Sequence, residues 1–218
     1  MRNHLHIIAH RGASAYCVDN SIESISKAVN MGSKIIEIDV RLTKDLKLVL
    51  AHDDFYVIDD IEKNIKNSLL SELGNIVELN DILTNTHEYI IFYLDIKCDN
   101  DEIIIAEKIN NILKNFPNRL FYIASFSDTF VSLFKSIYTN YKLGIIFQIF
   151  NKNIYNILKH KIKFVVSQIT QTKEFERFLE IKNKTKYVYT INNLSLIDNY
   201  YSYIDGIVND YPDIMSLK

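Results

Sequence analysis

The sequence predicts an α/β fold in which parallel strands close into a (β/α)8 barrel, with a short β-hairpin excursion after the second strand. Three observations carry this expectation. Short apolar, β-branched runs recur along the chain and read as continuous hydrophobic stretches, the pattern of strands covered on both faces. Amphipathic segments with apolar spacings of three and four lie between them. Strands and helices alternate, which calls for a parallel sheet. An open, doubly wound sheet usually begins with a Gly-rich turn after its first strand, whereas here that strand ends in His10-Arg11-Gly12, with one glycine.

The elements follow in order. Leu5–Ala9 is the first strand, and Ser21–Met31 the first helix, with Ile22, Ile25, Ala28 and Val29 on its apolar stripe. Lys34–Val40 is the second strand. Lys47–Ala51 comes after only the Thr43-Lys44-Asp45 turn, too soon for the crossover of a dozen residues that a parallel neighbour needs, so it folds back as the hairpin. Tyr89–Ile96 resumes the barrel, and Glu102–Leu113 is a helix carrying Ile105, Ile109, Ile112 and Leu113 inward. Leu120–Phe126, Leu143–Phe147, Phe164–Ser167, Tyr187–Ile191 and Gly206–Val208 complete the eight barrel strands. At about 27 residues per unit this is compact beside the usual ~250-residue barrel. No linker, repeat or composition break interrupts residues 1–218, which read as a single domain.

Composition narrows the function. A net charge of −2, without basic blocks, argues against nucleic acid or an anionic membrane as a bulk partner. Two cysteines, Cys17 and Cys98, make no disulfide scaffold and match no zinc spacing, so a reducing compartment is expected. No apolar run approaches the ~20 residues of a membrane-spanning helix, and histidines interrupt the start before a signal peptide can form. The expectation is a cytoplasmic protein without stable membrane insertion. The 35 Ile, 22 Asn and 20 Lys against 5 Arg fit codon bias in an AT-rich genome, and in that background an arginine stands out.

The polar residues gather where apolar strands end. His10 and Arg11 end the first strand, Glu37 and Asp39 the second, His52 the hairpin, and Asp95 and Lys97 the next strand; Asn209 and Asp210 follow the last. In a βα barrel these ends form the active-site face. Glu37 and Asp39, two apart on a strand, point to one face, and Asp95 adds a third carboxylate. Three carboxylates without a Cys ligand suit one hard divalent cation, Mg²⁺ or Ca²⁺, better than zinc. The bland alternative is that these carboxylates simply pair with Lys97, Arg11 or Lys34. His10 and His52 are the candidates for proton transfer; His4, His6, His87 and His160 are assigned structural places. Arg11 and Lys97 are candidates for phosphate contact, and with three carboxylates and a divalent ion they leave the site near +1, a sign that attracts a phosphodiester.

His10-Arg11-Gly12-Ala13, Asp19-Asn20-Ser21-Ile22-Glu23-Ser24, Gly32, Glu37-Ile38-Asp39-Val40-Arg41-Leu42-Thr43-Lys44-Asp45 and Val49-Leu50-Ala51-His52-Asp53 together resemble the opening of the glycerophosphodiester phosphodiesterase family. Leu94-Asp95-Ile96-Lys97, Ala124-Ser125-Phe126, Tyr189-Thr190-Ile191-Asn192 and Asp205-Gly206-Ile207-Val208-Asn209-Asp210-Tyr211-Pro212 are similar to its later signatures, in order. The resemblance implies a TIM barrel that hydrolyses glycerophosphodiesters to sn-glycerol 3-phosphate and an alcohol with a divalent metal. It places His10 and His52 as the acid/base pair, Glu37, Asp39 and Asp95 as metal ligands, and Arg11 on the phosphate; Lys97 matches the family's lysine.

The chain departs from the family pattern at several positions. Asp19 and Ser21 replace a Glu and a Thr, Asp95 stands where Glu is usual, and Tyr189 where Trp is common. Asn209 replaces a Thr, and the stretch from Asp53 to Ile90 is short. An Asp ligand and a short insertion are also similar to sphingomyelinase D-like phospholipases. The alternatives are therefore a phospholipase D-like activity on a lysolipid or sphingolipid, or a barrel that binds a phosphodiester without cleaving it. Phe55, Tyr56, Phe147, Phe150 and Tyr189 are candidates for lining the pocket of the alcohol.

Overall fold

The computed structural model describes residues 5–137, 141–159, 162–170 and 172–216. In chain order the elements are β1 (His6–Ala9), α1 (Ile22–Asn30), β2 (Ile35–Leu42), β3 (Leu48–Leu50), β4 (Phe55–Ile58), β5 (Ile61–Asn64) and α2 (Leu79–Asn85). There follow β6 (Ile91–Ile96), α3 (Glu102–Leu113), β7 (Phe121–Ser125), α4 (Asp128–Ile137), β8 (Lys142–Ile146) and α5 (Lys152–Leu158). The chain continues with β9 (Phe164–Gln168), α6 (Lys173–Glu180), β10 (Thr185–Tyr189) and β11 (Gly206–Asn209). Among the described residues, the helix positions after β10 and β11 hold only 3₁₀ turns, Leu194–Ile197 and Ile214–Ser216.

Eight strands form a closed parallel barrel in the order β1-β2-β6-β7-β8-β9-β10-β11, and β11 returns to β1 with Ile8 beside Val208. β3 turns back antiparallel on β2, pairing Leu50 with Val40, and is the expected hairpin excursion. All nine expected strands are present, with ends shifted by a residue or two.

The β4–β5 hairpin was not expected. Its turn is Asp59-Asp60, both at positive φ (49° and 62°), a conformation usually announced by Asn-Gly or Asp-Gly. In α1 the apolar stripe is only partly used: Ile25 and Ala28 are buried, whereas Ile22 is exposed.

Strand alternation sorts the barrel interior. Ile8, Ile35, Tyr93, Tyr122, Phe164 and Tyr187 point inward and fill its closed end, with Tyr93 edge-on to Phe164 at 5.5 Å. Gly144 faces them, because a Cβ there would lie 2.5 Å from the Phe164 ring. Going toward the strand C-termini, the same faces turn polar: Ile35 gives way to Glu37 and Asp39, and Tyr93 to Asp95. The other faces pack under the helices in the outer core, with Ile36, Ile38, Phe92 and Leu94 fully buried.

Gly12 lets β1 turn tightly into α1. It sits at φ 85°, and a Cβ would come within 2.8 Å of the backbone of Ser24 and Ile25. α1 starts at Ser21, whose hydroxyl accepts from the Ser24 amide at 3.0 Å. No helix among the described residues is long and apolar enough to cross a membrane.

Candidate active site

The acid cluster follows from strand register. β2 and β6 pair so that Asp39 lies directly beside Asp95, and Glu37 lies one inward position deeper on β2. Glu37, Asp39 and Asp95 are 4%, 1% and 7% exposed, and each offers an oxygen within 4.8 Å of the others. Lys97 Nζ contacts Asp95 at 2.6 Å and Asp39 at 2.9 Å. Arg11 Nε lies 3.0 Å from Asp39, and its Nη1 donates to Asp19 at 2.8 Å. The bland pairing is therefore present for two of the three cations named for it: Lys97 and Arg11 pair with carboxylates of the cluster.

Two cations do not neutralise three buried carboxylates. Burial first, then the charges of Asp39 and Asp95, push the Glu37 carboxyl well above its ordinary range. Burial likewise raises Asp95, against the opposing charge of Lys97. Burial would also raise Asp39, but Lys97, Arg11 and the Asn20 amide hold it below its ordinary value. Asp95 Oδ1 is buried without a hydrogen-bond partner. An excess of negative charge and an orphaned oxygen in an all-oxygen donor set fit a hard divalent cation, which Glu37, Asp39 and Asp95 could hold.

Each histidine has a carboxylate partner. His10 Nδ1 lies 2.6 Å from Asp210 Oδ1, and Asp210 also accepts from Ser14 at 2.9 Å and from the Asn192 amide. Burial opposes ionisation of Asp210, but these hydrogen bonds outweigh it and bring its pKa down to about 2. An ionised Asp210 fixes the His10 proton on Nδ1 and leaves Nε2 for chemistry. His52 Nδ1 pairs with Asp53 at 2.9 Å in a more open setting, where the two side chains are 43% and 60% exposed.

One opening is walled by Glu37 and Asp95, and a second borders Asn20, which bonds Asp39. The first is a cleft of about 290 Å³, solvent at its mouth included, bounded by His10, Glu37, Asp95, Tyr93, Phe126 and Tyr189. The second is a groove of about 570 Å³ where His52, Asp53, Phe55 and Tyr56 face Asp19 and Asn20. Of the aromatics singled out in the sequence, Tyr189 lines the cleft and Phe55 and Tyr56 the groove. Phe147 belongs to the outer core, and Phe150 borders a separate surface groove beside Lys159 and Arg177.

Sequence reasoning gave no role to Asp210, Asn192 or Asn20. Asn20, held at φ 52°, donates to the Asp39 carboxylate at 2.9 Å and accepts from the Asp39 amide at 3.1 Å. All three lie inside the quoted motifs, but their partners are distant in the chain. Of the histidines assigned structural places, His6 bonds Tyr187 and His87 stacks on Tyr89. His4 and His160 lie outside the described residues.

Residues 10–89 match the glycerophosphoryl diester phosphodiesterase family. YhdW of Bacillus subtilis, provisionally named a glycerophosphodiester phosphodiesterase, is 27% identical over 97% of this chain and 96% of its own length. The glycerophosphodiester phosphodiesterase of Thermotoga maritima superposes with a TM-score of 0.82 at 25% identity, with both chains fully covered. A phosphodiesterase of Oleispira antarctica, solved with the product sn-glycerol-3-phosphate, shares the fold with a TM-score of 0.87 at 24% identity, over 97% of this chain and 95% of that one. The motif-bearing N-terminal region, the full-length relatives and the closed barrel agree: along its length the chain is similar to glycerophosphodiester phosphodiesterases, and its fold is the TIM barrel of those neighbours.

Proposed function

We propose that residues 1–218 act as one barrel domain that hydrolyses glycerophosphodiesters to sn-glycerol 3-phosphate and an alcohol. The observation that carries this reading is the under-neutralised trio of Glu37, Asp39 and Asp95, with carboxylate-paired His10 in the cleft it lines and carboxylate-paired His52 in the groove alongside. The sn-glycerol-3-phosphate held by the Oleispira antarctica neighbour supports the same product here.

Glu37, Asp39 and Asp95 would hold one divalent cation, Mg²⁺ or Ca²⁺, which polarises a phosphoryl oxygen when bound. With the trio engaged in this way, Arg11 and Lys97 turn part of their charge to the phosphate and offset the charge that develops on it. One of His10 and His52 takes the proton of the attacking hydroxyl, from water or from the glycerol 2-hydroxyl. The other gives a proton to the alkoxide that leaves phosphorus. If the 2-hydroxyl attacks, the cyclic phosphate it forms is opened by water in a second step. The groove beside His52, walled by Phe55 and Tyr56, takes the departing alcohol.

The test is product release from a panel of glycerophosphodiesters with Mg²⁺, Ca²⁺ or EDTA, comparing wild type with His10→Ala. Metal-dependent glycerol 3-phosphate release that disappears in the variant is expected. A metal-dependent rise in melting temperature without turnover of any diester would instead favour the binding-only barrel, and turnover of lysolipids alone would favour the phospholipase D-like reading.

A further inference from the structure

We infer that Arg41, backed by Asp99, is a positioning residue for His52. The inference rests on the acid/base reading of His52 given above. His52 stands just beyond β3, on a bend with no ladder hydrogen bonds of its own, and its ring is 43% exposed. Such a residue needs its backbone fixed if its imidazole is to meet a reacting oxygen repeatedly.

Two contacts supply that fixing. On the N-terminal side the Ala51 amide donates to the Asp39 carbonyl at 3.2 Å, tying the bend to the strand that carries two of the three carboxylates. On the other side Arg41 grips the His52 carbonyl oxygen with both Nε (3.0 Å) and Nη2 (2.7 Å). Arg41 follows Glu37 and Asp39 at alternate positions of β2, so His52 is referred to the same strand as the acid cluster.

The guanidinium is itself locked. Its Nη1 donates to Asp99 at 3.0 Å, and the Asp99 carbonyl accepts from Lys66, which lies just after the β4–β5 hairpin. Asp99 sits two residues after Lys97, on the loop leaving β6. Arg41 is thus the junction where β2, the loop after β6 and the excursion meet. Its side chain is only 12% exposed, and each of its three guanidinium nitrogens donates to a protein oxygen. A lysine would keep the charge but could not hold one carbonyl with two nitrogens while pairing with Asp99 through a third.

The experiment is a double-mutant cycle on turnover of the diester cleaved fastest, using Arg41→Gln, Arg41→Lys, His52→Ala and Arg41→Gln combined with His52→Ala. Melting curves with and without metal establish that each variant folds and binds the cation. Arg41→Gln is expected to lower kcat ~10–100-fold, the size of effect that misplacing a catalytic group by about 1 Å produces, with KM within about twofold. Arg41→Lys should recover only a minor part of that loss. In the His52→Ala background Arg41→Gln should cost nothing further, because its effect runs through a ring that is no longer there. Asp99→Asn, which loosens Arg41 without touching His52, should give a smaller loss of the same kind and keeps the inference testable if Arg41→Gln fails to fold.

A rise in KM with kcat unchanged would make Arg41 a phosphate contact and overturn the inference. So would an equal loss in both backgrounds, or full recovery with Arg41→Lys. Wild-type turnover in His52→Ala would overturn the reading of His52 beneath it, an outcome distinct from all of these.

Discussion

The two histidines proposed for proton transfer stand on unlike supports. His10 extends a barrel strand whose neighbours pair on both sides, and its ring is held by an aspartate that Ser14 and Asn192 also hold. His52 stands on an excursion beside the barrel, with a more exposed carboxylate partner and an arginine gripping its main chain. A strand position comes with its geometry already set by the sheet, whereas a loop position must be held by side chains recruited for the purpose. On the proposed reading, the barrel holds one proton-transfer group by its sheet, and the excursion holds the other by side chains beside the Phe55–Tyr56 groove.

Removing the rings themselves is the largest test of that comparison. His10→Ala and His52→Ala should each lower kcat by ~10²–10⁴, measured as glycerol 3-phosphate release. Equal and near-complete retention of activity in both would end the acid/base assignment.

Removing the partners should separate the two sites. Asp210→Asn takes away the carboxylate that fixes the His10 tautomer and should cost ~10–100-fold in kcat, within the range of general acid–base contributions. Asp53→Asn, at a solvent-exposed pair, should cost no more than a few-fold. A reversed order would show that the excursion histidine is the more tightly governed one.

Gly12→Ala probes the strand-to-helix turn that presents His10 and Arg11. The strained φ and the contact with Ser24 should lower stability by ~1–3 kcal/mol, read from denaturant unfolding.

The smallest effect is on acid stability. The Asp210 pKa is depressed to about 2 in the folded chain, below an unfolded value of about 3.9, so its contribution is complete above pH ~4 and fades as pH falls toward 2. Asp210→Asn should therefore flatten the decline in melting temperature over that window and leave neutral pH as the place where wild type gains most.

Much of this was legible in the sequence, for physical reasons. Parallel strands buried on both faces leave continuous apolar runs, so all nine strands of the barrel sheet could be located from residue type alone. Strand alternation put Glu37 and Asp39 on one face without knowledge of the fold. Two features escaped. The β4–β5 hairpin did so because Asp59-Asp60 adopts its turn without the residues that normally signal it. The Asp210 partnership did so because it joins positions 200 apart and exists only once β11 lies beside β1. Arg41 was likewise visible as one of five arginines, but nothing local shows that its guanidinium reaches the carbonyl of a residue on another strand's exit.

The closure of β11 on β1 also joins two parts of the site that assemble separately. The acid trio is assembled by the pairing of β2 with β6, but His10 meets its aspartate only where β11 lies beside β1. A barrel opened along the β1–β11 seam would keep all three carboxylates on paired strands, yet leave His10 without its tautomer lock. The lock on His10 thus registers closure of the barrel, whereas the acid trio needs only two neighbouring strands.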